Sequence, residues 1–140
     1  MYYNSRMLNT FPDLLTYSML APFILRMILG LIMIDLGFLK FHAEKEKWIA
    51  LFNLISLRPS IWFVKIFALI EIIGGSMIII GMYTQTVALV FVIITLSELI
   101  LEWKEETLIK RNLPFYFLLF TISLSLIFSG AGAFALDLSI

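Results

Sequence analysis

Apolar residues along this chain are gathered into four long runs separated by shorter polar stretches. The runs cover residues 22–41, 61–81, 86–103 and 113–134, and each is close to the roughly 20 residues that a helix needs to cross a bilayer. In lipid every backbone group must be satisfied within its segment, which favours helices despite the many β-branched residues. We therefore predict an all-α fold in which residues 1–140 form a single domain, a four-transmembrane-helix bundle.

Two segments outside these runs are predicted to lie at the membrane interface. The first is the N-terminal tail, residues 1–19, in which Arg6 is not followed by the apolar core and small-residue cleavage site of a signal peptide. The second lies between the first two spans, where apolar residues around Trp48 and Phe52 follow the charged run 44–47. Two placements are open for this short segment: it lies in the interface as an amphipathic helix, or it folds back against the bundle.

The composition favours lipid as the surrounding solvent. Hydrophobic residues make up 61% of the chain and charged residues only 14%, against about 25% charged residues in ordinary soluble domains. The net charge is zero and the basic residues form no dense tract, so nucleic acid is not an expected partner. Cysteine is absent and His42 is the single histidine. We therefore expect no metal site and no cofactor held by this chain alone.

The basic residues are unevenly distributed between the two sides of the predicted bundle. Only Arg6 and Arg26 lie on the side of the N-terminus. The other side carries Lys40, Lys45, Lys47, Arg58, Lys65, Lys104, Lys110 and Arg111. The positive-inside rule then predicts a cell-membrane protein with both long connections in the cytoplasm and both termini outside.

Small residues recur at helical spacing within the first two runs. Glycine allows two helices in a membrane to approach closely. The residues predicted to serve helix packing in this way are Gly30, Gly37, Gly74 and Gly75.

Ionisable residues inside the apolar runs are the candidate functional site, because a charge in the hydrocarbon core must be compensated. Glu71 lies near the centre of the second run, and we predict that Arg26 pairs with it. Asp35, Lys65 and Glu98 fall in the inner half, where Lys65 is available to neutralise a carboxylate. The Arg26–Glu71 pair has two interpretations, a structural clasp or a site for protons or polar head groups. A third placement has Arg26 snorkelling outward.

The remaining two acids have simpler interpretations. Asp35 points away from the Arg26 face and is expected to form an interhelical hydrogen bond rather than to catalyse a reaction. Glu98 has a second interpretation, as a residue at the frayed cytoplasmic end of the third span.

Three pieces of the chain resemble the DoxX family of small membrane proteins. They are Leu25-Arg26 followed by Gly30, Gly37 and Lys40; Glu71-Ile72-Ile73-Gly74-Gly75 leading to Gly81 and Thr84; and the closing segment Gly130-Ala131-Gly132-Ala133-Phe134-Ala135-Leu136-Asp137. The resemblance runs from about residue 21 to 137. Gln85, Leu36 and Ala135 depart from the family pattern, which has a basic residue, a histidine and a serine at these places.

The resemblance implies a four-helix integral membrane protein, and some members of the family are described as membrane subunits of oxidoreductase assemblies, including thiosulfate–quinone oxidoreductases. The first functional hypothesis is therefore that the chain is a cofactor-free membrane subunit of such an assembly and not an enzyme on its own. A quinone would then bind at an interface of this chain with another subunit. A non-enzymatic scaffold or assembly factor is the alternative, and a small proton or solute carrier is the third. The expected partners are the lipid bilayer and other membrane or membrane-associated subunits, with a homo-oligomer also open.

Overall fold

A computed structural model describes residues 12–54, 60–104 and 113–132 of the chain. These residues form a 3-10 helix, Pro12–Tyr17, and five α-helices: α1 (Leu20–Phe41), α2 (Lys45–Leu54), α3 (Ser60–Ile80), α4 (Thr84–Lys104) and α5 (Leu113–Ser129). The prediction of an all-α fold is confirmed. Among the described helices, α1, α3 and α4 are long and apolar enough to cross a membrane, whereas α5 is apolar but has only 17 residues.

Glycines in the left-handed region end two of the helices. At the end of α3, Gly81 has φ 81°, and the N–H groups of Gly81 and Met82 both donate to the carbonyl of Met77 at 2.9 Å. This pattern satisfies carbonyls that the helix end would leave exposed. Because α4 begins three residues later, α3 and α4 are antiparallel neighbours. Gly130, with φ 74°, ends α5 at Ser129, before the predicted boundary at residue 134.

The two helices α1 and α3 form a close antiparallel pair through their glycines. A Cβ atom on Gly30 would lie 2.7 Å from the carbonyl oxygen of Gly75, and one on Gly75 would lie 2.7 Å from the carbonyl oxygen of Gly30. Gly37 meets the carbonyl of Ala68 in the same way further along the seam. Only glycine allows the two backbones this approach.

The neighbouring Gly74 faces α4 instead, where a Cβ atom would lie 2.8 Å from the ring of Phe91. Consecutive glycines therefore let α3 pack against α1 on one side and α4 on the other. The α5 helix packs mainly on α4.

Hydroxyl groups along the long helices bond to their own backbone. Ser76, Ser97 and Thr121 each donate to the carbonyl four residues earlier, at 2.8–2.9 Å. This bond lets an exposed hydroxyl lie on a helix in lipid without a partner from another helix.

The short helix α2 folds back against the bundle, which is the second of its two predicted placements. Its buried residues Trp48, Leu51 and Phe52 pack with Val64 of α3, and with residues of α4 and α5. We call this end of the molecule, where α1 and α4 end and α3 and α5 begin, the α2 end.

Candidate functional site

Three charged side chains from three helices meet inside the bundle. Lys40 comes from the last turn of α1, Glu71 from the middle of α3 and Glu98 from α4. The ammonium group of Lys40 donates a hydrogen bond to Oε1 of Glu71 and another to Oε1 of Glu98. All three side chains are at most 1% exposed. We call these residues the Lys40 cluster.

The positions of the three residues follow from the helix faces. Lys40 lies on the same face of α1 as Gly30 and Gly37, at steps of seven and three, so it points into the α1–α3 seam. Gly37 meets Ala68 and Ile72 across that seam, which puts Glu71 within one turn of Lys40 on the antiparallel helix. Glu98 belongs to the buried face of α4.

Helix α2 covers the cluster. The ring of Trp48 lies over the ammonium group of Lys40, with Nζ 4.4 Å from the ring centroid. The indole ring of Trp48 is positioned by Glu44, the residue just before α2, because its Nε1–H donates a hydrogen bond to Oε2 of Glu44 at 3.4 Å. A cation over an indole face is stabilised by the ring quadrupole, most strongly where water is excluded. Trp48 therefore both stabilises the lysine and closes the cluster at the α2 end.

The cluster holds one cation and two carboxyl groups. Among the described residues, Oε2 of Glu71 and Oε2 of Glu98 have no hydrogen-bond partner. If both carboxyl groups were ionised, the buried cluster would carry a net negative charge, which is costly in a low-dielectric interior. One proton shared by the two carboxyl groups makes the cluster neutral. Carboxyl pairs in contact commonly hold a proton for this reason.

A further acid lies between the cluster and the α2 end. Glu102 is one turn after Glu98 on α4 and is 2% exposed. Residues four apart share a helix face, so the two carboxyl groups form a short acidic line that leads from the cluster toward the end of α4 at Lys104.

The predicted pairing of Arg26 with Glu71 is wrong, because Glu71 binds Lys40. The physical reason is helix register. Gly30 meets Gly75 and Ile79, so Arg26, one turn earlier on α1, lies beyond Ile79 and more than two turns from Glu71. Arg26 is fully buried at the opposite end of the bundle, with its guanidinium carbon 5.1 Å from the ring centroid of Phe23.

Lys65 and Asp35 do not join the cluster either. Lys65 is half-buried with Nζ 5.4 Å from the ring centroid of Trp62, and within the described parts of the chain it forms no ion pair with Glu71 or Glu98. Asp35 is exposed on the outer face of α1. Of the candidate residues predicted from sequence, the structure thus brings together only Glu71 and Glu98.

Sequence reasoning missed Lys40, Trp48 and Glu102 as parts of this site. Lys40 is among the basic residues that flank the first span and among the residues that resemble the DoxX family, but it is not predicted as a partner of Glu71. Its place on the glycine face, at helical spacing from Gly30 and Gly37, was the signal that it points into the bundle. No comparable signal exists for Trp48, because its position depends on α2 folding back.

Two grooves on the described surface lie away from the cluster. A groove of about 500 Å³ between α4 and α5 is lined by apolar residues. A second one of about 300 Å³ lies between α3 and α4. The lining of the first is Leu99, Ile100, Trp103, Leu113, Pro114 and Phe117. The residues of the cluster line neither of these grooves, and the cluster is closed in this conformation because its three side chains are at most 1% exposed.

Comparison with known proteins gives one positive result. The family model described as DoxX matches residues 21–101, a range that contains Lys40, Glu71 and Glu98. Searches against curated proteins and against solved structures gave no match.

Proposed function

The chain belongs to the DoxX family, and from that premise we propose that it is a cofactor-free membrane subunit of an oxidoreductase assembly, in which the Lys40 cluster holds an exchangeable proton. The family match and the three long apolar helices support a membrane location. The redox centre of the assembly belongs, in this proposal, to a partner subunit. The chain supplies a membrane anchor and a buried proton site.

The observation that carries this proposal is the unequal number of charges in the Lys40 cluster. One ammonium group binds two carboxyl groups, and two carboxyl oxygens are left without a hydrogen bond among the described residues. A purely structural clasp needs only one acid for one base. The second carboxyl group can bind a proton. That proton would lie close to a cation and away from water, as in sites that exchange protons.

Glu102 and Trp48 supply a route and a barrier for that proton. Glu102 extends the acidic face of α4 from the cluster toward the α2 end, and Trp48 covers Lys40 at the same end, so the proton passes along α4 beside the indole ring. Reduction of a quinone consumes protons and electrons in equal number. In this proposal the two electrons for each quinone come from the partner subunit, and the cluster supplies the two protons one at a time, each being replaced through Glu102.

The two grooves described above offer no quinone pocket at Glu71. Both grooves are apolar and neither is lined by a cluster residue. We therefore derive no step on a quinone bound by this chain. A quinone at an interface with a partner remains part of the proposal at the level of the assembly.

We also propose that α5 is a fourth span and that the bundle lies in the cell membrane with the α2 end in the cytoplasm. The 17 residues of α5 are at the lower limit of about 17–25 for spanning helices. The excess of lysine and arginine at the α2 end supports the orientation.

The proton role is tested with the Glu71→Gln variant in the intact assembly. The assembly is isolated through a tag on this chain, and its turnover is measured with thiosulfate as electron donor and a short-chain quinone as acceptor. Glutamine keeps the size of the side chain but cannot release a proton. We expect turnover to fall by about a hundredfold, the lower end of what a proton-transfer group contributes, with the assembly recovered in normal yield.

The matched control is Ser76→Ala on the exposed face of α3, which should leave turnover unchanged. Equal turnover of Glu71→Gln and the unmodified assembly would contradict the proton role. An unmodified assembly that reduces no quinone would contradict the proposal for an oxidoreductase.

The second candidate function is a scaffold without any part in turnover. It is favoured by the burial of the Lys40 cluster, whose side chains are at most 1% exposed. Trp48 and Phe52 are not suitable docking residues for a scaffold, because both are at most 2% exposed. A scaffold would keep its partner and full turnover in Glu71→Gln, and would lose the partner on substitution of an exposed residue of α2 such as Glu46 or Asn53.

A further inference from the structure

A straight stripe of exposed side chains follows the outer face of α1. Its members are Ile24, Ile28, Leu31, Asp35 and Phe38, at alternating steps of four and three residues. This spacing places the five side chains on one face of the helix. We call these five residues the outer stripe. One of them, Asp35, is a carboxyl group among apolar neighbours.

Asp35 lies deep in the membrane-spanning part of α1. It is four to five residues past the midpoint of Leu20–Phe41, which corresponds to roughly 7 Å along the helix axis. Half the hydrocarbon thickness is about 15 Å. The adjacent Ile34 lies against Gly75, five residues before the end of α3, which also places Asp35 inside the span.

Asp35 has no partner within the described parts of its own chain, where it forms no hydrogen bond or ion pair. Its single methylene group is too short to carry the carboxyl group to the interface, unlike the long side chain of a lysine. The exposed serines and threonines of the bundle bond to their own helix. A carboxylate cannot do so, because it has no proton to donate to a carbonyl.

We infer that the outer stripe of α1 is the docking surface for a transmembrane helix of a different membrane protein, which presents a lysine or arginine to Asp35. Charge complementarity carries this inference, since an exposed carboxyl group at this depth requires a compensating donor. The apolar members of the stripe supply the packing on either side of the charged pair.

A second copy of this chain fits the surface less well. A two-fold contact through α1 would bring Asp35 against Asp35, because such an interface uses the same patch twice. Among the described cations, Arg26 and Lys40 are buried. The others lie at helix ends near the α2 end, and they are Lys45, Lys47, Lys65 and Lys104. None of these residues presents a cation at the depth of Asp35.

This inference rests on the proposed function in one respect, that the chain works inside an assembly. It is independent of the proton role, because Asp35 is on the opposite face of α1 from the Lys40 cluster. The experiment can therefore separate the two.

The test is photocrosslinking in native membranes with the full-length chain. A benzophenone amino acid replaces Leu31 in the outer stripe, in chains with Asp35, Asp35→Asn or Asp35→Leu. We expect an adduct with a different integral membrane protein whose transmembrane segment contains a lysine or arginine. In Asp35→Leu its yield should fall by about tenfold or more, with a smaller decrease in Asp35→Asn, which keeps a hydrogen-bonding group.

Two controls accompany this experiment. A crosslinker at Leu69, exposed on α3, should give the same products in all three chains. The Glu71→Gln variant should keep the Leu31 adduct, so that loss of the proton role and loss of docking are distinguished. Exchange of charges, with Asp35→Lys and aspartate at the partner's cation, should restore the adduct.

Three outcomes would overturn the inference. They are adducts formed only with a second copy or with lipid, an adduct yield that Asp35→Leu does not change, and a crosslinked protein without a cationic residue in a transmembrane segment.

Discussion

Lys40 is the residue that decides what kind of site this bundle contains. Its ammonium group binds two buried carboxyl groups and lies under an indole ring. Removal of one member of a buried charged group leaves the others uncompensated, and this costs more than the intact group contributes. Lysine also suits the position because its flexible chain can reach from the last turn of α1 into the seam.

Substitution of Lys40 by methionine should therefore destabilise the protein strongly. Methionine has a similar shape but leaves two buried carboxyl groups without their cation, so we expect a loss of about 3–5 kcal/mol in the free energy of unfolding. The measurement is unfolding in detergent followed by tryptophan fluorescence. The matched control is Lys65→Met, at a half-exposed lysine, for which we expect a change within about 0.5 kcal/mol.

A combined variant distinguishes charge from packing. Lys40→Met together with Glu71→Gln and Glu98→Gln removes all three charges, and it should regain part of the stability that Lys40→Met loses. If Lys40→Met were as stable as Lys65→Met, the cluster would not be a buried ionic site.

At the scale of elements, α3 is the central helix because it packs against α1 and α4 through adjacent glycines. Gly75 faces the backbone of α1, and Gly74 faces a ring of α4. The two contacts differ in how easily they can adjust to an added Cβ atom. A ring can rotate, whereas a carbonyl oxygen moves only with its helix. The α1–α3 seam also sets the register that brings Lys40 to Glu71.

The Gly75→Ala substitution should separate α1 from α3. Its methyl group would lie 2.7 Å from the carbonyl oxygen of Gly30, so the helices must move apart, and we expect a loss of about 1–3 kcal/mol of stability. Thermal unfolding in detergent measures it. Ser76→Ala, at the next and exposed position, is the control and should change little. Equal stability of the two variants would show that the seam tolerates a Cβ atom.

At the scale of the whole molecule, the two ends of the bundle differ, and this difference bears on the orientation of the bundle in the membrane. Lys65 and Trp62 lie together on α3 at the α2 end, the arrangement of an interfacial anchor with a snorkelling lysine. With the α2 end in the cytoplasm, the acidic line through Glu102 would open toward the cytoplasm. The outer stripe of α1 would face other proteins within the membrane plane.

The absence of cysteine from the sequence makes the orientation directly measurable. Single-cysteine variants at Ser18, Asn53, Lys104 and Ser129, all exposed, are treated with a membrane-impermeant maleimide in intact cells. We expect Ser18→Cys and Ser129→Cys to react at once, and Asn53→Cys and Lys104→Cys to react only after permeabilisation. Labelling of Lys104→Cys and Ser129→Cys from the same side would contradict a fourth span.

The sequence alone determined the helical class, because apolar runs of this length have no other economical structure in lipid. It also identified Glu71 and Glu98 as charged residues that need compensation, since their depth follows from counting along a helix. The tertiary structure decided which cation compensates them. That choice depends on the stagger of α1 against α3, which is set where Gly30 meets Gly75 and is not encoded in either helix alone. In the same way, only packing between separate helices decided that Trp48 covers the lysine and that Asp35 faces outward.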